Sequence, residues 1–519
     1  MRGRRGGPRR ARPDAAARRS RRAARHLRGG LVSDVLALLV EVCEAAAAHG
    51  VHAEARWVHT RDEALAVRNG EVSEVRTDVA EGLGIRVRVG GGWGFAATRE
   101  VSSAGAHAAL TRAIAVARAQ PVAAAGPFAP LAHGPARGHW AGPCEVDPFA
   151  LSLEARLAHL HAAEAALRAD GDARIVVTSA HTRSRRTRTA LASTDGAACT
   201  QERTETGAGV QAVAADGEET QVRSYPMSHD GDVLLAGWEL VTGLDLAGHA
   251  PRVAAEAVEL LTAPVCPEGV RDVVLHGEQL ALQVHESIGH ALELDRILLG
   301  EASYAGTSWV QADALRAAGS LRYGSEHLHV TADATLPAAL GSFGWDDEGV
   351  AARRFPLIEE GVLLAALSAR QSAAEIGLEE SGGCARADGF ARQPIVRMTN
   401  VSLEPGSAGS FADLLADTES GLYLETNRSW SIDDRRLQFQ FATEVAREIR
   451  GGELGRLYRN PSYAGVTPAF WGSMDAVCSA SEWRPWSFTN CGKGEPGQVM
   501  AVSHGTAPAR FRGVQVGVA

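Results

Sequence analysis

VVLHGEQLALQVHESIGHALELD, residues Val273 to Asp295, decides how the chain is read. An apolar, helix-forming run carries His285-Glu286-Ser287-Ile288-Gly289-His290. Two imidazoles bracket a carboxylate. Imidazole is the commonest metal ligand, and a Glu beside the first His can act as base toward a water activated by a metal. Histidines at i and i+4 sit about 40° apart around a helix, whereas these, at i and i+5, sit about 140° apart. On an ideal helix they could not share an ion, and the competing reading is two unrelated histidines on a half-buried helix. A π-type turn brings i and i+5 onto one face, and such turns often occur at functional sites. The spacing therefore predicts a widened turn at Ile288–His290, with Gly289 easing the distortion.

Outward from this stretch, the chain predicts an α+β fold. Upstream, Val35, Leu38, Leu39 and Val42 mark one helical face ending at Gly50. A strand at Ala53–Thr60, a hairpin turn at Asn69-Gly70 and a β region at Val79–Ala97 follow. Ser102–Gln120 reads as a helix, and residues 121–148 as loop. A third helix carries Leu153, Leu157, Leu160 and Leu167. Strands separated by Asp195-Gly196 and Asp216-Gly217 come next, then a helix at Gly248–Leu261. Helices packed on antiparallel sheets are the expectation for residues 31–265. Val270–His276 is a strand running into the central helix. Downstream, short strands and glycine-rich loops predominate. Gly344–Gly349 is an acidic turn, Phe355–Ala366 two strands joined at Glu360-Gly361, and Ala369–Ile376 a short helix. Pro394–Leu403 is a strand, and Gly421–Glu425 and Leu437–Ile449 supply others. Residues 266–519 thus form a mostly β half that carries the central helix.

Composition narrows the function. The 519 residues are 45% hydrophobic with a formal charge of −9. Residues 1–30 hold twelve Arg and one Asp, so the rest is more acidic than the total shows. That segment lacks apolar periodicity and an apolar signal core, and reads as a disordered tail. An acidic body makes nucleic acid an unexpected partner. No apolar run is long enough to span a membrane. Seven scattered cysteines without a CxxC pair fit a reducing, cytoplasmic setting. Lys493 is the sole lysine among 53 basic residues; either it survived by chance, or a planar guanidinium does not serve at that position.

Two histidines leave a tetrahedral ion in need of a third protein ligand and an open position. Glu293 and Asp295 follow closely. Cys491 lies far downstream in CGKGEPGQ (491–498), a tight glycine-rich loop, where Lys493 would help keep a thiolate ionised.

These residues resemble the TldD/PmbA family of peptidases, once described as modulators of DNA gyrase. The matching stretches are HESIGHALELD (285–295), DDEG (346–349), RMTN (397–400), CGKGEPGQ (491–498) followed by RFRGVQVG, and, near the N-terminus, GLGIRVRVGGGWGFAAT. The resemblance covers about residues 31–519. It implies a metallopeptidase acting on peptides or unfolded polypeptides. One zinc ion (Zn2+) per chain would be held by His285, His290 and Cys491, with Glu286 as the base. It also implies a dimer, homomeric or with a paralogous subunit that lacks the HExxxH motif, in which this chain is the active subunit. The stretch Gly421–Ile449 departs from the family's usual pattern.

In the expected mechanism, zinc lowers the pKa of its water, Glu286 takes the proton and later passes it to the leaving amine. Lys493 is a second catalytic candidate, as a group that binds the substrate carbonyl or terminal carboxylate. Glu293 and Asp295 would orient a ligand histidine. Asp346, Asp347 and Glu348 read as a solvated turn. The alternative from another class is a non-catalytic metal-binding regulatory subunit, or a gyrase-modulator-type interaction protein. The intact Glu286 speaks against a purely structural site, which needs no base.

Overall fold

Four strands of 13 residues or more build the N-terminal half: His52–Arg68, Glu71–Val89, Ile175–Ser193 and Ala198–Asp216. The computed structural model describes residues 15–120, 129–134, 136–301, 306–317 and 319–517, with side chains from residue 32. The first two strands turn at Asn69-Gly70, both at positive φ (50° and 86°), the twist that suits a two-residue hairpin. All four lie adjacent in one antiparallel sheet, extended by Gly92–Thr98 and three shorter strands. The two helices Ala15–Ala48 and Ser103–Ala119 cover one region of it, burying Leu39, Val42, Ala109 and Ala113 against Trp57, Ile85 and Val87. Small residues make the approach close: a Cβ on Gly94 would lie 2.0 Å from the Ala113 carbonyl. Helices Leu153–Leu167 and Leu246–Thr262 cover Leu65, Val67 and Val210 elsewhere on the sheet.

Two expectations change here. The helix Ala15–Ala48 begins inside the stretch read as a tail, whose residues 1–14 lie outside the described ones. Within the expected loop 121–148, Arg137–Ala141 is a strand, parallel to Ala198–Asp216. This edge strand has no apolar alternation to announce it. Backbone pairing and the packing of Trp140 on Leu235 and Leu340 hold it.

The C-terminal half has its own core. Its largest sheet runs Ser420–Ile432, Gly269–Leu275, Ala509–Val516, Ser462–Val466, Gln438–Arg450, and the last strand pairs again with the first. The sheet therefore closes on itself, which leaves none of these strands with an open edge along the paired length. Phe439, Phe441, Tyr463, Phe470 and Phe511 pack ring against ring, with Phe470 and Phe511 stacked at 4.2 Å. From Leu275 the chain enters the helix Gly277–Val284, every residue of which is buried. Its two glutamines are satisfied internally: Gln279 donates to the Tyr463 hydroxyl (2.9 Å), which donates to Gln283 (3.0 Å).

Pro394–Leu403 is not one strand. It breaks into Ile395–Val396 and Val401–Leu403, because the residues between them serve other partners. Asn400 donates to the Asp333 carbonyl and accepts from the Gly341 N–H. The acidic turn is not solvated either. Asp346 and Glu348 are buried; Asp346 accepts backbone N–H bonds from Glu348, Val350 and Ala385, and Glu348 pairs with Arg86 of the N-terminal sheet at 2.6 Å. Arg56 meets Asp347 (3.3 Å), and Arg370 meets Glu54 and Asp195. The two halves are thus joined by ion pairs that a linear reading cannot assign.

Candidate metal centre

The helix that starts at Gly277 widens where the spacing requires. His285–Gly289 is a π-helical turn, and the His290 N–H bonds the His285 carbonyl. The i→i+5 turn places the two imidazoles on one side, ring centroids 4.7 Å apart. Gly289 does not serve by unusual backbone angles; it is helical at φ −54°, ψ −58°. It serves by lacking a side chain, since a Cβ there would lie 2.1 Å from the Met398 sulfur.

Each ring is oriented through its Nδ1. That of His285 meets His504 Nε2 at 2.7 Å, and the other nitrogen of His504 meets the Val401 carbonyl at 2.6 Å. That of His290 meets Glu293 at 3.0 Å. Both Nε2 atoms are left for other use. Burial pushes His285 down to about 4 and lowers His290 as well, which favours the neutral form in which each ring can ligate.

Cys491 arrives from the hairpin Arg484–Lys493/Gln498–Thr506. Its sulfur lies 3.5 Å from His290 Nε2, and one ligating atom each from His285, His290 and Cys491 lies within 4.8 Å of the others. Burial works against ionising the thiol, but the His290 ring and the Arg397 guanidinium outweigh it and bring it down to about 7. Arg397, fully buried, reaches the sulfur at 3.3 Å and also bonds the Cys491 carbonyl. Two neutral imidazoles and a readily ionised thiol, second nitrogens engaged, fit a soft divalent ion such as zinc.

Lys493 takes a different place from the one expected. It is wholly buried and donates to Asp295 Oδ1 and the Val396 carbonyl, each at 2.6 Å, with Glu293 at 3.5 Å. It lies outside the cavity lining, and the cation at the Cys491 sulfur is Arg397 instead. Its charge acts on Glu293, which Lys493, His290 and Arg296 hold well below the usual carboxylate range against the effect of burial. Glu293 and Asp295, the other ligand candidates, thus serve in turn as the partner of His290 and the partner of Lys493.

Glu286 faces a cavity of about 580 Å³ that also exposes His285, His290 and Cys491. Its Oε2 accepts from Arg436 Nη1 at 2.6 Å. Arg436 has φ +61°, an uncommon backbone state for a residue with a long side chain. Sequence reasoning missed Arg436, His504 and the role of Arg397. Arg397 lies in a quoted motif, and positive φ at Arg436 has no sequence signal. His504 is one histidine among 18, with no spacing to mark it.

Three family models cover the chain: PmbA/TldA metallopeptidase domain 1 over residues 53–120, the central domain over 146–263, and the C-terminal domain over 268–518. A protein from Methanothermobacter thermautotrophicus named "Metalloprotease" is 30% identical over 466 residues, 90% of this chain and 95% of its own. A Saccharolobus solfataricus protein named "Zinc metalloprotease TldD homolog" is 24% identical over 314 residues, 59% of this chain and 66% of its own. Among solved structures, TldE from Thermococcus kodakarensis superposes with a TM-score of 0.69 over 90% of this chain and 96% of its own, at 16% identity, a likeness of fold. With all three domains matched and a full-length relative at this identity, the chain belongs to the PmbA/TldD metallopeptidase family.

Proposed function

We propose that this chain is a zinc-dependent peptidase for peptides or unfolded polypeptides, holding one ion on His285, His290 and Cys491. The observation that carries the reading is the convergence of those three ligating atoms within 4.8 Å, beside a carboxylate, in a cavity large enough for several residues of substrate. A bound zinc supplies Lewis acidity, polarising a peptide carbonyl and making water a stronger nucleophile.

The chain's own groups do the rest. His504 and Glu293 fix the ligand rings. Arg397 stabilises the thiolate, and Lys493 positions Glu293 and Asp295. Arg436 occupies one oxygen of Glu286, which leaves the other to take a proton from water and return it to the leaving amine. Lys493 is a positioning residue in this scheme.

In this reading the motif-bearing chain would pair with a second copy or with a paralogue that lacks the motif; the solved TldE shares its fold. No helix among the described residues is long and apolar enough to cross a membrane. The cysteines are free thiols, which fits a reducing, cytoplasmic setting.

The experiment is elemental analysis of untagged protein, with cleavage of an unfolded polypeptide measured in parallel. Wild type and Glu286→Gln should each carry about one zinc per chain, with cleavage lost in the variant by about a hundredfold or more. Cys491→Ala should lose both. Retention of zinc by Cys491→Ala would remove Cys491 as ligand, and full activity of Glu286→Gln would remove the base.

A further inference from the structure

The cavity that holds the metal ligands continues along the helix to a second carboxylate. Glu278, Leu282, His285 and Glu286 all line it, a spacing of i, i+4, i+7 and i+8 that marks one helical face. Glu278 is 1% exposed. Its two oxygens accept the Asn427 N–H at 3.2 Å each, and among the described residues no cation pairs with it.

Its neighbours are acidic. Arg223, the cation whose charge reaches Glu278, divides that charge among Glu256, Glu425 and Glu444. Arg436, the cation in the same cavity, is committed to Glu286. His229 and Asp230 also line the cavity. A buried carboxyl with no countercharge, facing an open volume, is unfavourable unless it is neutral or a ligand brings the charge.

We propose that Glu278 forms the floor of a subsite for a cationic side chain of the substrate, the ammonium of lysine or the guanidinium of arginine. Met227, Leu282 and Trp430 line the same cavity and suit the aliphatic stem, as apolar walls do for long basic side chains. Eight residues of helix separate Glu278 from Glu286, roughly 12 Å along the axis. An extended chain advances about 3.3 Å per residue, so the recognised residue sits roughly three or four positions from the scissile bond. Protonation is the ligand-free alternative. Burial, aided by Glu444 and Glu425 and opposed by the Asn427 N–H and Arg223, raises Glu278 to about 8, so an arriving cation displaces a proton.

The subsite rests on the peptidase reading, and the test separates the two. Glu278 also accepts an N–H at the irregular pairing near Asn427. Glu278→Gln keeps an acceptor there and removes only the charge. The full chain carrying Glu286→Gln is titrated with short fluorescent alanine peptides in which one lysine or one norleucine is moved through every position. Lysine at one register should bind about tenfold tighter than norleucine. Adding Glu278→Gln should erase that preference and leave norleucine peptides unchanged. Equal affinities at every register, or a lysine preference that survives Glu278→Gln, overturns the subsite. If no peptide binds, the peptidase reading fails, and the subsite is read with millimolar hexylammonium. A thermal shift in wild type that Glu278→Gln lacks supports it; equal shifts or none overturn it.

Discussion

Replacing Gly289 by alanine sets two effects against each other, and the structure says which wins. Gly289 has ordinary helical angles, φ −54° and ψ −58°. On backbone grounds alone alanine should stabilise by about 0.4–1 kcal/mol. The new Cβ would, however, lie 2.1 Å from Met398 Sδ and 3.3 Å from Met398 Cγ. Ordinary contact is about 3.5–4.0 Å, so the sulfur must retreat by about 1.5 Å. Met398 is fully buried and its carbonyl holds Arg386 Nη1 at 2.7 Å, so there is little room. Overpacking of this kind costs about 1–3 kcal/mol, and the net expectation is a loss of about 1–2 kcal/mol, roughly 2–8 °C in the melting of the C-terminal half.

The sign test uses a second background. Met398→Ala itself costs about 2–5 kcal/mol, but it removes the clashing sulfur. Gly289→Ala should then become stabilising by up to about 1 kcal/mol, a coupling of about 2 kcal/mol between the two sites. The assay is denaturant and thermal unfolding of all four proteins, with zinc content measured on each. If Gly289→Ala stabilises the wild type, or costs the same with and without Met398, glycine is not there to admit the methionine.

Lys493→Arg should cost about 2–3 kcal/mol and weaken zinc retention, because a planar fork does not fit between Asp295 Oδ1 and the Val396 carbonyl, each 2.6 Å from Nζ; unchanged melting and full zinc would refute this. Tyr463→Phe removes a hydroxyl that joins Gln279 and Gln283. It should cost about 1–3 kcal/mol by denaturant titration, and a neutral result would mean the glutamines find other partners. His52 is raised from 6.5 to about 9, as Asp195 and Glu54 together outweigh the opposing effect of burial. A raised group stabilises fully below pH 6.5 and loses that contribution as pH climbs through about 9. Wild type should therefore soften across that window and His52→Gln should not; parallel pH profiles would refute the pairing.

The sequence made some parts of this legible because their cause is local. The widened turn follows from a five-residue spacing that a regular helix cannot reconcile with a shared ion. Asn69-Gly70 and Glu360-Gly361 mark turns through the backbone angles they permit. What stayed hidden depends on distant partners. Arg397 looks like one more arginine until a hairpin about a hundred residues away brings Cys491 to 3.3 Å. The DDEG turn looks solvated until Arg86 and Arg56 arrive from the other half. The short strand Arg137–Ala141 is held by backbone pairing, which leaves no periodicity to read.

The distribution of cations around the site explains why one lysine stands among so many arginines. At Cys491 the guanidinium of Arg397 has several targets spread in a plane: the sulfur, the Cys491 carbonyl and the Gln498 carbonyl. A fork meets them together. At residue 493 the acceptors crowd a single point, with Asp295 and the Val396 carbonyl each at 2.6 Å and Glu293 at 3.5 Å. Only a compact ammonium can sit there. That ammonium helps keep Glu293 ionised, and ionised Glu293 holds Nδ1 of His290, leaving Nε2 beside the Cys491 sulfur. The three proposed ligands come from segments about two hundred residues apart, and their orientation depends on further segments at 293, 397, 401 and 504. Such a centre cannot exist before the C-terminal half has folded, so the free energy of zinc binding there would become part of the stability of that half.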